Sequence, residues 1–257
     1  MFSCDKAKKY SDEQVVPYHV LGYIVSGKLE MNFSNTKIIA EVGDIALIRK
    51  NELVKVLKIP AENGQPFKAI NIIFSDEILR NYALAQKISV QEKYTGEPII
   101  DLSNNRFIRA FWNSLFPYFD EPNKFSEKMA DIKTNEAIEL LLSSNPDIKN
   151  ILFDLSEPYK IDLEKYMVTN FTFNISIAEF ARLTGRSIST FKRDFKKVFD
   201  DTPEKWLLNK RLEEAKFLLQ EKNQKPTEVY YHVGFENFSH FSKAFKNRFG
   251  TNASKFG

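Results

Sequence analysis

The sequence predicts two domains: a small β-barrel with trailing helices in front, and an all-helical domain of two helix-turn-helix units behind. Three observations carry this. Short runs rich in Val, Ile and Phe crowd residues 18–74 and are separated by turn residues. After Phe74 the apolar spacing changes from strand-like to helical. The last third then repeats itself: Gly185 is followed by Phe191, Phe195 and Phe199, and Gly234 by Phe241, Phe245 and Phe249. A chain of 257 residues has room for two ordinary domains, placed here at 1–150 and 151–257.

The front strands are VLGYIV, KLEMNF, KIIAEV, DIALIR, VKVLKI and FKAINIIF. Ser26-Gly27, Ser34-Asn35, Gly43-Asp44 and Asn63-Gly64 separate them. Asn-Gly is the strongest of these signals, because both residues tolerate the positive φ of a tight hairpin. Short strands joined by hairpins favour a small barrel or sandwich, and runs apolar on both faces suit a closed or doubly covered sheet. Asp76 is expected to cap a helix through Ile78, Leu79, Tyr82 and Ala83. Ser103 is expected to cap a second through Phe107, Ala110, Phe111, Ser114, Leu115 and Tyr118, bent or ended by Pro117. A third runs from about Ser126 through Met129, Ile132, Ala137, Leu140 and Leu141 to Asn145-Pro146. These helices, over residues 76–145, carry more apolar surface than a thin layer on a barrel requires. Pairing with a second copy, as a homodimer, is one use of it; packing within one chain is the other. The segment DLSEPYKIDL holds Pro158 and ends near Asp162, a good N-cap, so the boundary falls between roughly Asn145 and Asp162.

In the rear domain Ser176 and Glu179 are spaced as a capping box, in which each side chain satisfies the other residue's amide. The helix Ile177–Leu183 buries Ile177, Phe180 and Ala181, and Gly185 ends it. Ser187 starts the next. Phe191, Phe195 and Phe199 fall four apart and pack inward, which turns Ser189, Lys192, Arg193 and Lys196 outward. Thr202-Pro203-Glu204 opens a long helix whose apolar face holds Trp206, Leu207, Leu212, Ala215, Leu218 and Leu219, a rigid spacer. Pro226 starts the second unit, Gly234 turns it, and Asn237 caps its second helix. Phe238, Phe241, Phe245 and Phe249 are expected inside; Glu236, Ser239, His240 and Lys243 are expected outside.

Charge agrees with this division. Residues 171–257 hold 16 Lys+Arg against 10 Asp+Glu, while the remainder holds 21 against 24. Short polar and basic side chains at a helix start suit base edges, and longer cations behind them suit phosphate. Double-stranded DNA is therefore the leading partner.

The string RLTGRSISTFKRDFKKVFDDTPEKWLLNKRLEEAKFLL, followed by VGFENFSHFSKAFKNRFG, resembles the DNA-binding domain of the AraC/XylS family of bacterial transcription regulators. The resemblance implies seven helices, two of them inserted in successive major grooves roughly 34 Å apart. Carried over by position, the first recognition helix offers Ser187, Ser189, Thr190, Lys192, Arg193, Lys196 and Lys197. The second offers Glu236, Asn237, Ser239, His240, Lys243 and Lys246, and Arg211 matches a bracing arginine of the linker helix. Tyr230 stands where the family has a small alanine, and Ala253 where it has proline. The front segment GYIVSGKLEMNFSNTKIIAEVGDIALIRKNE is similar to the family's cupin-like sensor barrel, which implies a small-molecule effector and dimerising helices. The protein is expected to be a homodimeric regulator, an activator, with RNA polymerase as a further partner, and to be cytoplasmic for want of a leader or a spanning run. The alternatives are a sensor acting mainly through protein contacts and a cupin-type enzyme.

Other chemistry finds little footing. A metal-binding cupin needs a His-x-His pair, a carboxylate and another His, whereas His19 is the front domain's one histidine. No metal site, cofactor or catalytic set is expected, and the protein is read as no enzyme. Glu236 is spaced either to accept from cytosine N4 or to cap its helix. Cys4 stands alone near an N-terminus expected to be mobile, so no internal disulfide forms. The start lacks an apolar leader, and no run is long enough to span a bilayer.

Overall fold

Strands form at all six of the expected apolar runs, and also at residues 2–5, 9–10 and 99–101, where none was expected and where the first two lie in the N-terminal stretch expected to be mobile; they do not close into a barrel. The computed structural model describes residues 2–10, 14–34, 36–90, 94, 96–155 and 160–255. It divides into two units, Met1–Ser156 and Glu157–Gly257. In the first unit the strands are β1 (Phe2–Asp5), β2 (Lys9–Tyr10), β3 (His19–Ser26), β4 (Lys28–Asn32), β5 (Lys37–Ala40), β6 (Ile45–Ile48), β7 (Lys55–Ile59), β8 (Phe67–Phe74) and β9 (Ile99–Asp101). They form two open sheets, ordered β1-β8-β3-β6-β9 and β2-β7-β4-β5, with antiparallel pairing throughout.

The expected barrel gives way to two sheets because most of the turns are crossings, not hairpins. At Gly27 the chain leaves one sheet for the other straight after a register irregularity between Ile24 and Ser26. Gly27 has φ +78°, and a Cβ there would lie 2.3 Å from the Ile59 carbonyl oxygen, so only glycine fits this corner. The turns at Gly43-Asp44 and Asn63-Gly64 likewise join strands of different sheets. Among the described residues only β4 and β5 pair as consecutive neighbours; their turn includes Asn35, which lies outside the described residues, as does Pro158. Cys4 sits in β1, paired with Lys68 of β8, and is exposed.

Alternation along the five-stranded sheet gives it two apolar faces. Leu21, Ile45, Leu47, Ile70 and Phe74 face helices, in one core with Leu79, Phe111, Trp112, Ile138, Leu141, Ile148 and Leu152. Ile24, Phe67 and Ala69 face Met31, Ala40 and Val54 on the four-stranded side. Between the two sheets lies a cavity of about 270 Å³, lined by alternate residues such as Val20, Ile24, Met31, Val56, Ala69 and Ile73. At its polar margin Lys58 reaches Asp5 at 2.9 Å and Ser3 at 2.8 Å. His19 is buried in the sheet, accepts from the Lys50 amide, and has its pKa pushed down to about 3 by burial.

The helices are α1 (Asp76–Gln86), α2 (Arg106–Asp120), α3 (Glu127–Ser144) and α4 (Asp147–Leu152). The third helix begins where expected, with Ser126 as its cap. The other caps differ from expectation. Ser75, not Asp76, caps α1, and Asp76 instead holds Lys50 at 2.7 Å. Asn105, not Ser103, caps α2, because the Ser103 hydroxyl is taken by the Ile45 amide at 3.0 Å. Pro117 lies inside α2, which continues to Asp120. No helix among the described residues is long and apolar enough to cross a membrane.

Candidate nucleic-acid interface

Among its described residues the second unit holds α5 (Leu163–Asn170), α6 (Ile177–Leu183), α7 (Ile188–Phe199), α8 (Pro203–Glu221), α9 (Pro226–His232) and α10 (Phe238–Phe249), followed by a short 3-10 helix (Ala253–Lys255). The duplication read in the sequence is physical. In α7, the rings of Phe191 and Phe195 lie 5.6 Å apart and those of Phe195 and Phe199 4.4 Å apart. In α10 the matching separations are 5.6 Å for Phe241–Phe245 and 4.7 Å for Phe245–Phe249. Each helix ends on a left-handed residue, Asp200 at φ +52° and Gly250 at φ +74°.

Each stripe feeds its own core. Phe191 and Phe195 join Leu163, Met167, Phe180, Ala181 and Leu207. Phe241 and Phe245 join Leu212, Ala215, Leu219, Val229 and Phe235. Helix α8 supplies Leu207 to the first core and Leu212 onward to the second, so one rigid rod carries both units. Thr202 caps it through the Lys205 amide, with Pro203 in the first turn.

Two local expectations change. Ser176 accepts from the Glu179 amide at 3.1 Å, but the Glu179 carboxylate turns to Arg182, so this is half a capping box. Phe238 is 40% exposed, against the expectation that it points inward. It stands in the first turn of α10, beyond the core, with its ring edge-on to Tyr230 at 5.6 Å. Tyr230, the bulky residue in place of alanine, is itself half-buried there.

Of the residues expected at the interface, Ser187, Ser189, Lys192, Arg193, Lys196 and Lys197 are exposed along the start and outer face of α7, and Thr190 is half-buried. Glu236, Asn237, Ser239, His240, Lys243 and Lys246 are exposed before and along α10. Two side chains are already in use as caps. Ser187 Oγ accepts from the Thr190 amide, and Asn237 Oδ1 from the Ser239 and His240 amides. The cations of α7 rest on weak, exposed partners: Lys192 on Glu204 at 3.0 Å, Lys196 on Asp200 at 2.8 Å, Arg193 near Asp194 at 3.7 Å. Such solvated pairs contribute little and exchange readily for phosphate.

Three contacts support these helices; the resemblance implied the brace at Arg211, whereas those of Arg186 and Asn174 were not expected from the sequence. Arg186 is tucked under α7, donating to the Ile161 and Thr184 carbonyls and to Asp194 at 3.2 Å. That guanidinium, more than any other neighbour, holds the Asp194 carboxyl below its usual range. Arg211 of α8 donates to the carbonyls of Phe171 at 2.7 Å, Phe173 at 2.7 Å and Gly234 at 3.1 Å. Burial lowers its pKa to about 10, which leaves it charged at neutral pH. Lastly, Asn174 donates to the Glu236 carboxylate at 2.5 Å.

Residues 180–257 match the helix-turn-helix domain family, and residues 19–151, more than half of the chain, match the ExsA N-terminal regulatory domain family. The chain is 26% identical over 258 residues to the raffinose operon transcriptional regulatory protein RafR of Pediococcus pentosaceus, covering 96% of this chain and 87% of that protein. It is 26% identical over 137 residues to the virulence regulon transcriptional activator VirF of Yersinia enterocolitica, covering 52% of this chain and 51% of that protein. The chain thus spans about half the length of VirF. Among solved structures, an AraC-type DNA-binding protein from Chromobacterium violaceum is 27% identical and covers 36% of this chain and 83% of its own, at TM-score 0.33.

Proposed function

The chain belongs to the AraC/XylS family of DNA-binding transcription regulators, and from that premise we propose that it reads two successive major-groove segments of one duplex with α7 and α10. The observation that carries this reading is the repeated helix with a buried aromatic stripe and an exposed cationic flank, mounted twice on α8. Direct readout falls to Ser189, Thr190 and Arg193 in the first unit and Ser239, His240 and Lys243 in the second. Phosphate contact falls to Lys192, Lys196, Lys197 and Lys246.

The test is a duplex titration. Arg193→Ala should cost about 1–3 kcal/mol at one base pair and relax preference there. Lys197→Ala should weaken all sequences alike and reduce the salt slope by about one. Unchanged binding by both variants would remove α7 from the interface.

The front unit is proposed to receive a small, mainly apolar effector between its sheets. The support is the cavity of about 270 Å³ with aliphatic walls. The apolar side chains that α2 and α3 leave exposed, Phe107 and Ile132 among them, are proposed to meet a second copy. Activation is proposed on the likeness to VirF, which is named a transcriptional activator; RNA polymerase is proposed as the further partner. Native mass spectrometry of the purified protein reads both proposals of structure. Two chains with a retained small molecule are expected; a single chain without added mass would contradict them.

A further inference from the structure

We propose that Asn174 and Glu236 form a clasp that fixes the second recognition helix relative to the first, and so selects the operator spacing the protein accepts. This rests on the duplex-reading function proposed above. The contact joins residues 62 positions apart in the chain. Asn174 lies in the loop between α5 and α6, which belongs to the first unit, and Glu236 stands one residue before Asn237, the cap of α10.

The clasp is the exposed rim of a larger seam. The same loop gives its Phe171 and Phe173 carbonyls to Arg211, which also holds the Gly234 carbonyl of the second unit. Gly234 sits so close to the Thr172 carbonyl oxygen that a Cβ there would be 2.5 Å away. Phe171–Asn174 of one unit and Gly234–Asn237 of the other therefore lie face to face. Arg211 is shielded and supports the core, whereas Glu236 is exposed and adjoins the recognition helix directly. Moving Glu236 moves the start of α10. A shift of one base-pair step is only about 3.4 Å along the duplex, so a hydrogen bond at that point bears on spacing. The bond from Asn174 occupies one carboxylate oxygen of Glu236, and the clasp gives that side chain a supporting role in place of cytosine readout.

The experiment titrates the full chain against duplexes in which the two segments of its best-bound site are moved together or apart by one base pair. The unaltered protein should prefer one spacing. Glu236→Ala and Asn174→Ala should each cut that preference about fivefold, equivalent to about 1 kcal/mol at 1.4 kcal/mol per tenfold. Base preferences within each segment should stay as they were. The exchange Asn174→Glu with Glu236→Asn, which reverses donor and acceptor, should restore the spacing preference. An equal loss at every spacing would make the pair mere support and overturn the clasp. Lost discrimination at one base pair of the second segment would make Glu236 a base reader and overturn it too. Variants that keep the spacing preference sink the clasp alone; failure of the unaltered protein to bind any duplex sinks the DNA-reading function along with it.

Discussion

Replacing Phe195 with alanine should lower the stability of the first helix-turn-helix unit by about 3–5 kcal/mol. The side chain is fully buried, and its ring meets Phe191, Phe199 and Trp206 at 5.6, 4.4 and 5.6 Å. Cutting it back leaves a hole that α7 cannot close, because α7 is pinned at its start by Ser187 and from beneath by Arg186 on Asp194. A domain of this size has only about 5–15 kcal/mol in total, so the loss is a large share. Phe245→Ala should do the same to the second unit, since the two aromatic cores are separate clusters. Denaturant unfolding followed by circular dichroism measures both. A change below about 1 kcal/mol in either variant would mean that its stripe is not the core described.

Gly234→Ala should destabilise the rear domain by more than about 2 kcal/mol and reduce duplex binding with it. Two costs combine. Gly234 has φ +93°, where a side chain is strained by about 1–2 kcal/mol. Its new Cβ would also press on the Thr172 carbonyl oxygen at 2.5 Å and on Arg211 Nε at 3.0 Å, displacing the guanidinium that satisfies three carbonyls. Gly250 is the control. It has φ +74° but nothing within 4 Å of an added Cβ, so Gly250→Ala should incur the backbone cost alone. Thermal unfolding of the two variants should separate clearly. Equal shifts would mean that the seam between the units carries no strain on substitution.

The parts of this structure legible in the sequence are those set by local periodicity. The four-residue spacing of Phe191, Phe195 and Phe199 gave α7 its inward face, and apolar runs between turn residues placed the front strands from β3 to β8, though not the short β1, β2 and β9. Partner choice was not legible. Asn63-Gly64 is the strongest hairpin signal in the chain, yet β7 pairs with β4 and β8 with β3. Turn chemistry specifies φ; which strand lies alongside is decided by burial on both faces of the larger sheet. Caps slipped by a residue or two for a related reason. Several cap-competent side chains stand in a row at Ser75-Asp76 and at Ser103–Asn105, and tertiary partners, Lys50 and Ile45, take one of them away. Phe238 obeys the period but falls past the end of the core it should join. In the candidate interface, helix faces followed from spacing, whereas the supports Arg186–Asp194 and Asn174–Glu236 did not. They are single polar contacts without a repeating pattern, and the second spans 62 positions.

The claim on which the rest depends is that α7 and α10 read one duplex together. Selection of bound duplexes from a random pool, read by sequencing, tests it most directly. The expected result is a bipartite motif whose two segments lie one helical turn apart, about 10 base pairs centre to centre. A single contiguous segment, or no enrichment over the starting pool, would contradict it.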